Sequence, residues 1–163
     1  MTKHRDASTR AAAALNAAGI AYAVHSFSAE PGATSVGRDA AAALHVDDNR
    51  VFKTIIAMVD GNPTAAIIPV AAVLDRSALA AAVGGNEVRL CEAALVQDLT
   101  GCAAEAVAPV GHSSSLATVI DSSALDYKTI YVCAGSIDTD LELAPNDLVI
   151  ATRARTAPLA QRA

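Results

Sequence analysis

The apolar run Val51 to Val59, VFKTIIAMV, predicts a strand buried on both faces, since eight of its nine residues are β-branched, aromatic, otherwise apolar or, like Thr54, at home in a sheet. The exception is Lys53. Side chains alternate along a strand, so Val51, Lys53, Ile55, Ala57 and Val59 share one face and Phe52, Thr54, Ile56 and Met58 the other. A lysine on a wall that otherwise reads Val, Ile, Ala, Val has two outcomes. Either it snorkels to water with its stem on apolar surface, or it projects into a cavity where an amine is wanted. Strand statistics by themselves favour the first.

Around this strand the hydrophobic and polar positions fall into helices and further strands. RAAAALNAA, capped by Ser8 or Thr9 and closed by Gly19, predicts a first helix. IAYAVHSF alternates as a strand through about Phe27, and SAEPGATS is turn chemistry centred on Pro31 and Gly32. A second alanine-rich helix, capped by Thr34 or Ser35, runs to about Leu44. Beyond the central strand, Asp60-Gly61-Asn62-Pro63 predicts a turn and TAAIIPV its hairpin partner. Asp75 caps a third helix, RSALAAAV, closed by Gly84-Gly85; NEVRLC is a short strand and EAALVQDLTG a short helix ended by Gly101. AEAVAPVG, LATVID and KTIYVCAG read as strand-like segments, separated by Gly111 to Ser115 and by a turn or single helical turn over Asp121 to Asp126. TDLELA is a last strand, after which Pro145 opens a helix at its first position or a terminal extension. Helices interspersed irregularly with paired strands predict an α+β fold with a curved, mixed, largely antiparallel sheet. No repeat or low-complexity linker divides it, so residues 1–163 are expected to form one domain.

Composition narrows the function classes. A chain of 163 residues buries roughly 70% of its unfolded surface, enough for a core without staples. With 39 alanines and five aromatic residues, that core is expected to be made of small side chains packed closely. No apolar run approaches the ~20 residues of a membrane span, and the first thirty residues lack a signal-peptide apolar block; a cytoplasmic protein is expected. Cys91, Cys102 and Cys133 are odd in number and form no C-x-x-C pair, which argues against a disulfide framework and against zinc. His4, His25, His45 and His112 share no metal-ligand spacing, so neither metal nor cofactor is expected. The net charge of −5 disfavours gripping nucleic acid by bulk attraction. Yet Lys3, Arg5, Arg10, Arg153, Arg155 and Arg162, half of the twelve basic residues, lie in the first ten or last eleven positions. They form a local positive patch if the two ends meet, and two solvated tails otherwise.

The familiar catalytic signatures are missing: no G-x-S-x-G elbow, no G-x-x-x-x-G-K-[ST] phosphate loop and no G-x-G-x-x-G dinucleotide turn. Ser113 to Ser115 after Gly111 can present backbone N–H groups to an anion, although such a run is more often a polar connection. Cys133 ends an apolar strand just before Ala134-Gly135, where side chains line sites, and Asp140 in the next strand can face the same region; a buried structural thiol is the commoner outcome.

The order of segments is more specific than any one of them. VFKT follows a helix, a strand and a Pro-Gly loop; Thr100-Gly101 precedes Pro109-Val110-Gly111 by nine residues; LATVID, IYVCAG and LELAPNDL complete the series. From about Ser8 to Leu148 the chain resembles the YbaK/prolyl-tRNA-synthetase-associated editing-domain family. The resemblance implies a free-standing aminoacyl-tRNA deacylase, which hydrolyses the ester between a wrongly attached amino acid and the terminal ribose of a tRNA, typically tRNA(Pro). It implies that Lys53 is the essential residue, its amine holding the charged 3′ end by phosphate or ester oxygens, and this reverses the preference for snorkelling. Reduced screening on an apolar wall would strengthen such a cation's pull. Thr54 follows the lysine as in the family. Family pocket positions fall on Phe27, Val36 (often Phe), Cys133 (often Ser) and Asp140. The resemblance implies that no protein nucleophile is needed, in keeping with the missing triad; orientation, backbone donors and the substrate's own groups do the work.

Two departures bear on the substrate. Where the family commonly has Gly-Gly before P-x-G, this chain has Glu105-Ala106, restricting backbone approach and adding a negative charge. By the resemblance Thr54, Ala106 and Gly111 of the P-x-G loop also count as substrate-binding positions, and added bulk at Ala106 points to a small ester, alanyl or cysteinyl. The implied partner is the 3′ end of an aminoacyl-tRNA, with prolyl-tRNA synthetase as a candidate second partner because an acidic domain holds tRNA weakly. The alternative is a binding module that keeps the pocket, has lost efficient hydrolysis and senses an aminoacyl or nucleotide ligand. A third reading, a Cys133 thiol esterase, needs His25 or His112 beside the sulfur.

Overall fold

The computed structural model describes residues 7–29 and 36–162. The central strand spans Val51–Val59, as its apolar run predicts, with Lys53, Ile55 and Met58 its only partly exposed residues. Asp60 and Gly61 both have positive φ, 49° and 81°, as a two-residue primed hairpin turn requires. The return strand therefore starts at Asn62, two residues before the expected TAAIIPV, and runs to Pro69 with Val59 opposite Asn62.

In chain order the elements are α1 (Ala7–Ala17), β1 (Ala23–Ser26), α2 (Val36–Leu44), β2 (Val51–Val59), β3 (Asn62–Pro69), β4 (Ala72–Leu74), α3 (Arg76–Val83), β5 (Val88–Leu90) and α4 (Ala93–Thr100). They continue as β6 (Ala117–Asp121), β7 (Ile130–Ser136), β8 (Thr139–Leu143), α5 (Pro145–Thr152), β9 (Arg155–Ala157) and β10 (Ala160–Arg162). The expected signals act where they were read. Asp75 Oδ1 accepts the Ala78 N–H at 3.0 Å to cap α3, and Gly84 and Gly101 close α3 and α4 with φ of 71° and 77°. Pro145 opens α5 at its first turn. Asp121 caps a single 3-10 turn over Ser122–Asp126. The side chains of Ser8 and Thr9, the Pro31-Gly32 turn and the caps Thr34 and Ser35 lie outside the described residues.

Eight strands form one mixed sheet in the order β1-β8-β7-β2-β3-β6-β9, with β5 also on β2; β4 and β10 pair separately. Five of the eight pairings among the described residues are antiparallel; β2–β7, β3–β6 and β6–β9 are parallel. The larger core lies on one sheet face, where Phe52, Ile56, Ile67, Ile120, Val132 and Leu141 meet Leu15 of α1, Val96 of α4 and Leu148 of α5. On the opposite face Val51, Val70 and Tyr131 pack under Ala41 of α2, and Ala57, Ile68 and Val119 under Leu79 of α3. Val51 belongs to the cluster under α2 and Ile55 packs against the cluster under α3, so residue 53 lies between the two along β2.

One expected strand is absent. AEAVAPVG takes no ladder position, although residues 106–110 are all buried. Pro109 has no N–H to give, and Ala106 turns its own N–H back to the Ala103 carbonyl at 3.0 Å, so the segment is an irregular buried connection. The strands β4, β9 and β10 come from stretches too short for periodicity to show.

Candidate functional site

The site begins as an interruption in the sheet. β3 covers one edge of β2 along its whole length, but the other edge is shared. β7 pairs there only at Val51 and Phe52, and β5 only from Ala57 to Val59. A register shift between Cys133 and Ser136, where Gly135 adopts φ 106°, bends β7 away. Among the described residues, residues 53–55 of β2 have no strand neighbour on that edge.

A cavity of about 290 Å³ fills this gap. Its walls are the open stretch of β2, Cys133 and Asp140 from β7 and β8, Val36 and Gly37 at the start of α2, and Ala104, Glu105 and Val107 from the irregular connection. Register places the chemical groups. Val51 stands beside Tyr131, so Lys53 and Cys133, each two residues on, share that face, and Cys133 is directly opposite Asp140. Thr54 points to the other face, so the cavity reaches both sides of the sheet through the gap.

Lys53 is half-buried and forms no ion pair among the described residues. Burial lowers its pKa, and the charge of Arg38 lowers it further. Asp140 is 4% exposed, and burial pushes its carboxyl up to about 7. Its Oδ2 and the Oγ1 of Thr54 are buried with no hydrogen-bond partner among the described residues. An orphaned buried polar atom costs about 1–3 kcal/mol, so two in one cavity mark a lining suited to a polar ligand.

Cys133 is not a nucleophile in this setting. Burial raises its thiol to about 12, and Sγ accepts the Gly135 N–H at 3.4 Å while lying 3.4 Å from the Ser136 carbonyl. The two candidate bases are held elsewhere: His25 Nε2 is 2.9 Å from Glu142 Oε1, and His112 Nε2 is 2.6 Å from the Ala108 carbonyl. The Cys-His reading therefore lacks its pair. Among the described residues no cluster of His, Cys, Asp and Glu could hold a metal ion, and no helix is long and apolar enough to cross a membrane.

Of the expected site residues, Lys53, Val36, Thr54, Cys133 and Asp140 line the cavity together; Phe27, Ala106 and Gly111 do not. Phe27 is half-buried past the end of β1, with its N–H on the Asp138 carbonyl at 3.0 Å. Ala106 turns into the core, 3% exposed, while its neighbours Glu105 and Val107 face the cavity. Gly111 lies under α1 with φ 76°, and a Cβ there would sit 2.8 Å from the Arg10 carbonyl oxygen. Gly111→Ala should therefore destabilise the fold by about 2 kcal/mol or more without acting on the cavity, a loss readable in a urea melt. Gly37 was not anticipated. A Cβ there would lie 2.3 Å from Val70 Cγ1, so glycine lets α2 sit against the end of β3; that contact is long-range and leaves no local signal.

The terminal basic residues are only partly described. Arg10 Nη1 reaches the Thr100 carbonyl at 3.4 Å and Arg155 Nη1 the Ala82 carbonyl at 2.9 Å. Lys3 and Arg5 lie outside the described residues, so the positive-patch expectation is untested.

Residues 30–150 match the aminoacyl-tRNA editing domain family. A protein of Enterococcus faecalis named "Putative Cys-tRNA(Pro)/Cys-tRNA(Cys) deacylase EbsC" is 30% identical over 122 residues, 73% of each chain. The solved structure of "a putative trans-editing enzyme for prolyl tRNA synthetase" superposes with a TM-score of 0.86 over 98% of this chain and 99% of that one, at 24% identity, a likeness of fold. The chain, with its open β2 edge and lysine-bearing cavity, belongs to the aminoacyl-tRNA editing domain family.

Proposed function

We propose that this chain is a trans-editing deacylase that hydrolyses the ester of a mischarged tRNA, with tRNA(Pro) carrying alanine or cysteine as its substrate. The observation that carries this reading is Lys53, a half-buried amine on the wall of a cavity that also holds two buried polar atoms, Thr54 Oγ1 and Asp140 Oδ2, without a partner among the described residues. Lys53 holds a phosphate or ester oxygen of the terminal nucleotide at the cavity mouth, where weak screening strengthens the attraction. Water adds to the ester carbonyl, the bond from the carbonyl carbon to the ribose oxygen breaks, and that oxygen takes the water's proton to become a hydroxyl as the free amino acid leaves. Positioning and fixed donors supply the acceleration, since the thiol of Cys133 is buried and protonated.

Size supports a small substrate. The cavity is at the low end of the roughly 300–1,000 Å³ usual for ligand pockets, and Val36, Val107 and Cys133 take up its apolar wall. Cysteine is also the amino acid in the name of the Enterococcus relative. The formal charge of −5 implies weak grip on tRNA by the domain alone, for which a synthetase partner such as prolyl-tRNA synthetase would compensate. A tRNA substrate accords with the cytoplasmic location expected from the sequence.

The test is deacylation of tRNA(Pro) charged with alanine, cysteine, serine or proline, and of a tRNA carrying a large aromatic residue, each with and without EDTA. Turnover confined to small mischarged species and unaffected by EDTA is expected; equal rates for large and small esters would refute the size argument. Glu105 favours a second reading, because its carboxylate lines the cavity where it opposes an incoming phosphate. On that reading the protein binds an aminoacyl or nucleotide ligand without turnover.

A further inference from the structure

The open edge of β2 has a chemistry of its own. The Val51 carbonyl accepts the Val70 N–H at 2.8 Å, so the odd-numbered residues of β2 turn their backbone groups toward β3. The Ile56 carbonyl accepts the Cys91 N–H at 3.0 Å, so the even-numbered ones turn toward the interrupted edge. On that edge Phe52 is taken by the ladder to β7 and Met58 by the ladder to β5. Thr54 lies between them. Its N–H and C=O face the cavity and have no ladder or loop backbone partner among the described residues. Its hydroxyl, nine-tenths buried, is unpartnered too.

In an antiparallel pair, one residue gives its N–H to the facing carbonyl and takes the facing N–H on its own carbonyl. An aminoacyl ester carries the same two groups on adjacent carbons: a carbonyl that accepts and an α-ammonium that donates. We infer that the aminoacyl group docks on β2 as a one-residue strand, its ester carbonyl on the Thr54 N–H and its α-ammonium on the Thr54 carbonyl. This rests on the deacylase reading and specifies how that site holds its substrate. It is strand addition shortened to one residue.

Two consequences follow from the chemistry. When water attacks, the ester oxygen gains negative charge, and the Thr54 N–H, fixed by β3 on the far side of the strand, already points at it. The paired ammonium and carbonyl also fix the stereochemistry at the α-carbon, so the side chain of an L-residue is sent to one defined wall. Asp140, which lines the same cavity and whose Oδ2 has no partner among the described residues, adds negative charge for the ammonium.

Proline at position 54 tests the donor directly, because it removes an N–H that no ladder uses, on a stretch with no strand neighbour on that edge among the described residues. Thr54→Val is the companion that keeps the N–H and loses only the hydroxyl. On alanyl-tRNA(Pro), Thr54→Pro should lose about 100- to 1,000-fold in kcat and Thr54→Val less than about tenfold. Equal losses in two variants with wild-type melting curves would overturn the inference. Should the proline variant fail to fold, NMR of the 15N-labelled wild type with 3′-alanylamino-3′-deoxyadenosine decides. A saturable downfield shift of the Thr54 amide proton supports the docking, and none at saturating analogue overturns it. Wild-type turnover of any mischarged tRNA, measured alongside, tells a failure of this inference from a failure of the deacylase reading itself.

Discussion

Replacing Lys53 by alanine is expected to lower kcat/KM for mischarged tRNA by about 100-fold or more, the usual cost of removing one fixed charge from a reacting centre. Stability should move little. Burial and Arg38 already disfavour the charged amine in the folded state, and no ion pair among the described residues is broken by its loss. Lys53→Met, which keeps the stem and loses the charge, should be as inactive as alanine and no less stable than wild type. Single-turnover deacylation and thermal melts on the same preparations separate the two effects. Activity within about threefold of wild type would remove Lys53 from the mechanism and return it to the snorkelling reading.

Asp140 should show the opposite combination, stability gained and function lost. Burial raises its carboxyl from 3.8 to about 7, so the folded protein binds that proton more tightly than the unfolded chain. The cost of ionising it is absent below about pH 4, grows as pH rises, and is complete above about pH 7, where it reaches at most about 4 kcal/mol. Asp140→Asn removes the cost. In urea melts the variant should match wild type near pH 4 and exceed it at pH 8, while deacylation at pH 8 falls because the negative charge facing the substrate ammonium is gone. Parallel stability profiles across that range would show that the carboxyl is solvated in the folded state. A buried acid that weakens the fold and serves the site is the trade expected where a cavity is kept for a ligand.

Much of this was legible in the residues, and the parts that were not share a cause. β2 could be read to its ends because eight of its nine residues are apolar or sheet-forming and a Gly-containing turn follows it. α3 and α4 were legible through Asp75, Gly84 and Gly101, whose capping chemistry is local. Lys53 stood out as a charge on an apolar strand, and five of the eight expected site residues meet in one cavity. The segment around Pro109 misled because its apolar residues are buried without belonging to the sheet, and burial and strand pairing leave the same mark in a sequence. Gly111 and Ala106 were assigned to the pocket by resemblance, whereas their conformation serves packing against α1 and the core. The open edge at Thr54 was invisible, for it arises from where β7 leaves and β5 arrives, and neither partner is near in sequence.

The most direct test of the whole account is the release of amino acid from alanyl- and cysteinyl-tRNA(Pro), beside correctly charged prolyl-tRNA(Pro), by wild type and Lys53→Ala in parallel. The account predicts hydrolysis of at least one mischarged species, sparing of the prolyl ester, and loss of turnover with the lysine. No release from either mischarged tRNA by folded wild-type protein would contradict it, and would leave Glu105 as the residue that turned an editing cavity into a binding one.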